Sequence, residues 1–510
     1  MRTNYLACFG ALTLLMTACA DDQQSSSSPD RMPVPVATDG PTAETYAVME
    51  AATEATAARV PEINPVTDPA VDALSTFAID VDTGSYTRTR AMLDAGYLPS
   101  PDEVRTEEFV NAFEQDYAQP ADGPFAVSVD GTAVPFLDDG TVVLRVGVQG
   151  MEIDDSARRD ANLTFVIDVS GSMGEFGKLD AVKPALDALV ESLRPTDRVA
   201  IVVYSDETRV VLDPTRVERR QDIMDAIYRL ETEGATSVEG GLTLGYSVAR
   251  ESYDPERINR VILLSDGVAN VGATGSAAIL EIIGDGARDG IDLVTVGFGL
   301  GEYNDTLMEQ LADKGDGFYA YVDGQAEAVR LFSHDLTGTL QVIGRDAKIQ
   351  VEFNPATVAT YRLLGFENRQ IADRDFRDDS VDGGEVGAGH TVTALYEVRL
   401  VDGFDADADP TAWVARATLR WLHPDTRNPN ETGAGLAVGD ITRSLAEAPP
   451  RLVQDILVAS FAETLRGNGW SGRVGLAAVA EDALTLSERL DDPALAELAS
   501  LVTAAARLLG

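Results

Sequence analysis

Five short apolar runs in the middle third of the chain constrain its fold more than any other feature. Residues 162–168 read NLTFVID, 198–204 RVAIVVY, 260–264 RVILL, 292–298 DLVTVGF and 317–322 GFYAYV. Each has the length of a strand and is apolar throughout rather than alternating, which marks a strand covered on both faces. Between them, apolar residues recur at helical spacing over 179–193, 219–230, 241–253, 277–287 and 305–312. Buried strands joined by helices predict an α/β fold, a doubly wound and mostly parallel sheet. Ligands bind such sheets at the carboxyl ends of the strands.

Polar residues gather at those ends. Asp168, Ser170 and Ser172 follow the first strand, Thr236 lies in the loop 233–237, and Ser265, Asp266 and Gly267 follow the third strand. From these, Asp168, Ser170, Ser172, Thr236 and Asp266 supply two carboxylates and three hydroxyls, all hard oxygen donors. Mg²⁺ takes an oxygen octahedron with few carboxylates and fits this set better than zinc does; Mn²⁺ and Ca²⁺ accept the same donors.

The pattern Asp168-x-Ser170-x-Ser172, with Thr236 and Asp266 downstream, resembles the metal-ion-dependent adhesion site of von Willebrand factor type A (VWA) domains. That resemblance implies that Ser170, Ser172 and Thr236 are ligands, directly or through water. It implies that Asp168 and Asp266 act largely through water, and that a partner's Asp or Glu completes the octahedron. The flanks resemble a group of bacterial VWA lipoproteins: 77–86 (FAIDVDTGSY), Leu98-Pro99 and 104–109 (VRTEEF) before the domain, and 351–355, 361–369 and 387–390 after it, in a C-terminal domain of uncharacterised role.

Competing motifs fail on spacing. Residues 171–178 (GSMGEFGK) look like a phosphate loop, but the glycines are misplaced and Leu179 stands where Ser or Thr is required. Ser170 and Ser172 lack the frame of a nucleophile elbow. Of the histidines, His334 and His423 read as surface or capping residues and His390 as a turn residue, and nothing clusters for zinc. Asp80 and Asp82 with Ser85 lack the downstream loops of a second metal site, so a helix cap at Thr83 or Ser85 is expected. Asp405, Asp407 and Asp409 lack the Gly and Glu of a calcium loop and read as solvated.

The N-terminus reads as an export signal. Arg2 precedes an apolar stretch over 5–17, too short to span a bilayer as a mature helix, and Leu15-Met16-Thr17-Ala18-Cys19 resembles a lipoprotein box. Cys19 is the expected lipidation site, with residues 1–18, including Cys8, removed. The polar, Ser/Pro-rich segment 19–70 reads as a tether. Lys+Arg 40 against Asp+Glu 84 gives a net charge of −44, which excludes nucleic acid as a partner of the body. With 45% hydrophobic and 24% charged residues the chain is too apolar to be disordered throughout.

Around the domain at 160–338, the segments 125–129, 141–148, 348–353, 391–400 and 413–421 read as strands. They are expected to form one β-rich sandwich interrupted by the α/β domain, from the region 71–155 before it and 339–445 after it. Helical spacing at 452–458 and 495–501 makes 446–510 a helical tail. The expected function is an envelope-tethered module, at the outer membrane of a bacterium, that binds a protein partner through a Mg²⁺-dependent site and touches the membrane only through its lipid. The alternatives are a metal-dependent hydrolase, for which no general base stands out near the rim, and a structural lipoprotein whose metal only orders loops.

Overall fold

The computed structural model describes residues 63–509 except 80–81, 138–139, 155, 235, 267–274, 299–304, 333–339, 382, 405–406, 469 and 471–472. Cys19, Asp80, Gly267, His334 and Asp405 therefore lie outside the described residues. The chain enters through strand β1 (Leu74–Ala78), helices α1 (Gly84–Asp94) and α2 (Thr106–Asn111), and the hairpin β2 (Phe125–Ala133) and β3 (Thr141–Gly150). The α/β domain follows: β4 (Ala161–Asp168), α3 (Lys178–Ser192), β5 (Arg198–Tyr204), β6 (Thr208–Arg216), α4 (Arg220–Tyr228), α5 (Val238–Glu251), β7 (Ile258–Ser265), α6 (Gly275–Arg288), β8 (Asp292–Phe298), α7 (Asp305–Lys314), β9 (Tyr319–Val322) and α8 (Gln325–Arg330).

Its six-stranded sheet runs β6-β5-β4-β7-β8-β9. All pairs are parallel except β5 with β6. Alternate residues of one strand serve opposite faces and both faces are covered, so even the few polar positions within the runs, such as Thr164 and Thr295, are buried. Phe165 and Ile167 pack with α3 and α4, while Val166 packs with Leu242 and Tyr246 of α5 and Ile283 of α6. The antiparallel edge β6 was not expected. Its sequence TRVVLDPTR is half-exposed and carries Pro214, so it lacks the all-apolar signature of its neighbours.

The flanks form a sandwich from both sides of this insertion. After it come β10 (Val342–Phe353), β11 (Val358–Leu364), β12 (Val386–Gly387), β13 (Thr391–Leu400), β14 (Trp413–Leu422) and β15 (Pro429–Ala437). One sheet runs β1-β10-β14-β15, with β12 beside β10, and the other β11-β13-β3-β2. Leu74 pairs with Glu352 and Thr141 with Arg399, so each sheet joins a strand made before the domain to one made after it. The expected pairing is present, and β1, β11, β12 and β15 extend it. Phe353 stacks on Tyr361 at 4.1 Å inside the shared core.

Helices α9 (Pro450–Leu465), α10 (Leu476–Leu490) and α11 (Pro493–Leu509) close the chain. The tail is no separate cap. Helix α9 is apolar on most sides, and its Phe461 meets Phe109 of α2 at 6.0 Å in one core with Tyr86 and Phe113. Among the described residues no helix is long and apolar enough to cross a membrane.

Helix α1 corrects the expected cap. Thr83 stands at the N-cap position without a side-chain cap bond, and the Ser85 hydroxyl instead donates to the Glu103 carbonyl at 2.6 Å. The Glu108 carboxylate of α2 accepts the Ser85 N–H at 2.7 Å, placing a negative group at the positive helix end. Thus capped, α1 lies against β9, with Arg90 paired to Asp323 and Glu327. Further arginines clamp the domain to the sandwich: Arg345 to Asp292 at 2.9 Å and Asp316 at 3.0 Å, and Arg369 to Glu309 at 2.9 Å. His423 caps a turn as expected, its Nδ1 accepting the Asp425 and Thr426 N–H groups. His390 sits in the turn before β13, and Asp407 is exposed beside Arg443.

Candidate metal site at the strand ends

Strand β4 delivers Asp168 fully buried at its carboxyl end. Oδ1 accepts the Ser170 N–H at 2.8 Å, a local turn typical of Asp, and Oδ2 accepts the Ser265 hydroxyl at 3.2 Å. Both oxygens are thereby aimed. Ser170 is also buried, and its Oγ lies 3.1 Å from Oγ of Ser172. A 3-10 segment, Gly171–Gly177, then swings the chain into α3, with Met173 anchored in the core beneath the two serines.

A second loop is stitched to the first. The Glu233 N–H donates to the Val169 carbonyl at 2.6 Å, and the Gly171 N–H to the Gly234 carbonyl at 3.1 Å. Gly234 has φ +63, and a Cβ there would sit 2.5 Å from an Asp206 oxygen, so both backbone and space call for glycine. Thr236, half-buried, stands two residues further on, just before α5. It shares the rim but makes no bond to the other four candidates. Helix α5 approaches closely because Gly241 faces the Tyr204 ring, where a Cβ would fall 2.6 Å from Cδ1.

The third loop brings Asp266, also buried, and with it an ammonium. Lys178 Nζ, from the start of α3, donates to Asp266 Oδ2 at 2.9 Å, and both side chains are almost closed to solvent. Burial is the largest influence on Asp168 and holds its carboxyl above the usual range; the negative Asp266 adds to this, while the Ser170 and Ser265 bonds oppose it. The Tyr204 phenol, fully buried, is likewise pushed up by burial and by Asp168.

A hard dication fits this donor set. Metal–oxygen distances of about 2.1 Å put adjacent corners of an octahedron about 3.0 Å apart, and the two serine oxygens are 3.1 Å apart. A buried carboxyl whose ionisation is opposed by burial gains from a nearby cation. Among the described residues no three His, Cys, Asp or Glu side chains converge, so the candidate site leans on hydroxyls rather than on a carboxylate cage. Sequence reasoning placed Ser265 at the rim without giving it a role, and gave none to Lys178 or Tyr204. The first two carried a signal: Ser265 closes its strand beside Asp266, and Lys178 is a rare lysine in a chain whose cations are nearly all arginine.

Residues 162–334 match the family described as von Willebrand factor type A domain, and the parallel sheet gives this segment the VWA-type α/β fold. Residues 54–144 match a family described as von Willebrand factor, and 338–508 one described as uncharacterized protein YfbK, C-terminal. The last match runs through both sandwich strands and helical tail. The chain is 35% identical over 382 residues to the uncharacterized protein YfbK of Escherichia coli K12, covering 71% of this chain and 66% of that protein. The uncharacterized protein sll0103 of a Synechocystis strain is 29% identical over 37% of this chain and 44% of its own length. The chain thus spans under two thirds of each of these relatives. A solved structure, a von Willebrand factor type A protein from Catenulispora acidiphila, has 16% identity and a TM-score of 0.44 over 75% of this chain and 91% of that one.

Proposed function

We propose that this protein works at the bacterial cell envelope as a tethered binding module, capturing a protein partner through Mg²⁺ held at the VWA rim, in adhesion or complex assembly. The observation that carries the reading is the pair of serine oxygens 3.1 Å apart beside a buried, twice-bonded Asp168. In this reading Ser170, Ser172 and Thr236 hold the ion, and Asp168 and Asp266 bind it directly or orient its waters. The bound ion supplies a positive point that accepts one oxygen of a partner's Asp or Glu. The protein's own residues set the rest: Ser265 and the Ser170 N–H fix the Asp168 carboxylate, and the stitched loops hold the hydroxyls on one rim. Cys19 carries the lipid that tethers the body, and residues 19–70 give it reach.

The test is capture of envelope proteins on the immobilised protein with Mg²⁺ and with EDTA, beside an Asp168→Ala variant. Partners should be retained only with Mg²⁺ and only by the unaltered rim. Retention in EDTA, or by a folded Asp168→Ala protein, overturns the reading. In cells, Cys19→Ser should move the protein from the membrane fraction to the soluble one, and continued membrane association would refute the tether.

A further inference from the structure

The least expected group at the rim is the ammonium of Lys178. It sits at the start of a helix, where backbone dipoles disfavour a cation, and it is 8% exposed, so it has given up most of its hydration. Its bonded partner is one oxygen of Asp266, whose charge also acts on Asp168. No phosphate-loop role accounts for it, because the preceding glycines do not make such a loop.

Charge counting shows what it does. Counting the buried charges of the rim and leaving out the solvent-exposed Asp206 and the Arg209–Glu233 pair, Asp168 and Asp266 contribute −2 and Lys178 +1, which leaves −1. With a dication the total is −1 + 2 = +1, which one external carboxylate brings to zero. Without Lys178 the same site would be −2 + 2 = 0 before any partner arrived, and a carboxylate would make it −1. The ammonium therefore opposes the ion and favours the partner's anion, in a part of the protein where burial keeps screening weak.

We propose that Lys178 is a positioning residue and internal counter-cation that weakens the rim's hold on the divalent ion and in exchange makes an incoming carboxylate bind more tightly. Metal and partner then bind cooperatively, each completing what the other lacks. This rests on the metal-dependent reading above. It has a signature that a purely structural ion pair would not show, since loss of a strut loosens the site for both ligands, whereas loss of a competing charge moves them in opposite directions.

The experiment uses the full chain, stripped with EDTA, as wild type, Lys178→Met and Lys178→Arg. Free Mn²⁺ is followed by electron paramagnetic resonance, and acetate is followed as the carboxylate probe by broadening of its ¹³C signal at bound Mn²⁺. Lys178→Met should bind Mn²⁺ about tenfold more tightly and acetate correspondingly more weakly, as expected for one unit charge beside a dication. Lys178→Arg should behave as wild type. Mn²⁺ affinity that is unchanged or reduced in a folded Lys178→Met overturns the proposal while leaving the metal-binding reading intact; Mn²⁺ bound by neither protein sinks both. If Lys178→Met does not fold, wild type still decides. The chain has only four lysines, so the Lys178 ¹⁵Nζ resonance, assigned with Lys178→Arg, must shift as Mg²⁺ is added, and a resonance that stays put refutes the coupling.

Discussion

Glu107 offers a direct measurement of how this fold stores charge. It lies in α2 at 2% exposure, and its Oε2 has no hydrogen-bond partner. Burial, then the negative Glu367 and Glu108, push its carboxyl up from 4.5 to about 7, opposed by a backbone bond and by Arg105. A raised carboxyl stabilises the fold fully below its unfolded value and loses that contribution as pH rises through the folded value. The full span is (7 − 4.5) × 1.36, or about 3 kcal/mol. Glu107→Gln removes the titration and nearly keeps the shape. Any fixed cost of the amide is equal at both pH values and cancels in the comparison. Working at about pH 5 keeps clear of the pI of 4.2. Between about pH 5 and 8.5, wild type should lose about 2 kcal/mol relative to Glu107→Gln in urea unfolding. Parallel curves for the two proteins would show that Glu107 ionises like an exposed residue, and would refute the reasoning.

Two further outcomes follow from packing. Asp197 is fully buried and accepts from Arg158 at 2.8 Å and from the Ala161 and Arg194 N–H groups; Arg158→Leu leaves it partly uncompensated and should cost about 3–5 kcal/mol in thermal unfolding. A loss under about 1 kcal/mol would mean that the backbone donors alone suffice. Gly241→Val forces α5 off the Tyr204 ring, so it should cost about 1–3 kcal/mol and also weaken Mn²⁺ binding at the neighbouring loop; a melt and an affinity equal to wild type would contradict the close approach.

The α/β domain was legible because β4, β5, β7 and β8 are buried on both faces, and such strands advertise themselves as continuous apolar runs. Strand β15 was not, since PNETGAGLA is largely exposed and takes its extended form from pairing with β14. Helix α9 showed its periodicity over only one stretch, because it is buried on most sides and has no polar stripe. At the rim, the candidate residues could be read from their order along the chain. The Lys178–Asp266 bond could not, since its partners are 88 residues apart and neither alone signals the other. The Glu108 cap on α1 was hidden for the same reason: capping rules look to the adjacent residue, and here the acceptor comes from another helix.

The split sandwich also sets an order of events as the chain emerges from its N-terminus. Strand β1 finds its partner only when β10 has been made, and β3 stands beside β13 only after the whole VWA domain has emerged. The domain's own strands, from β4 to β9, pair entirely among themselves. The emerging chain can therefore complete the inserted domain while the strands before it still carry open edges, which are aggregation hazards until residues 342–437 arrive to cover them.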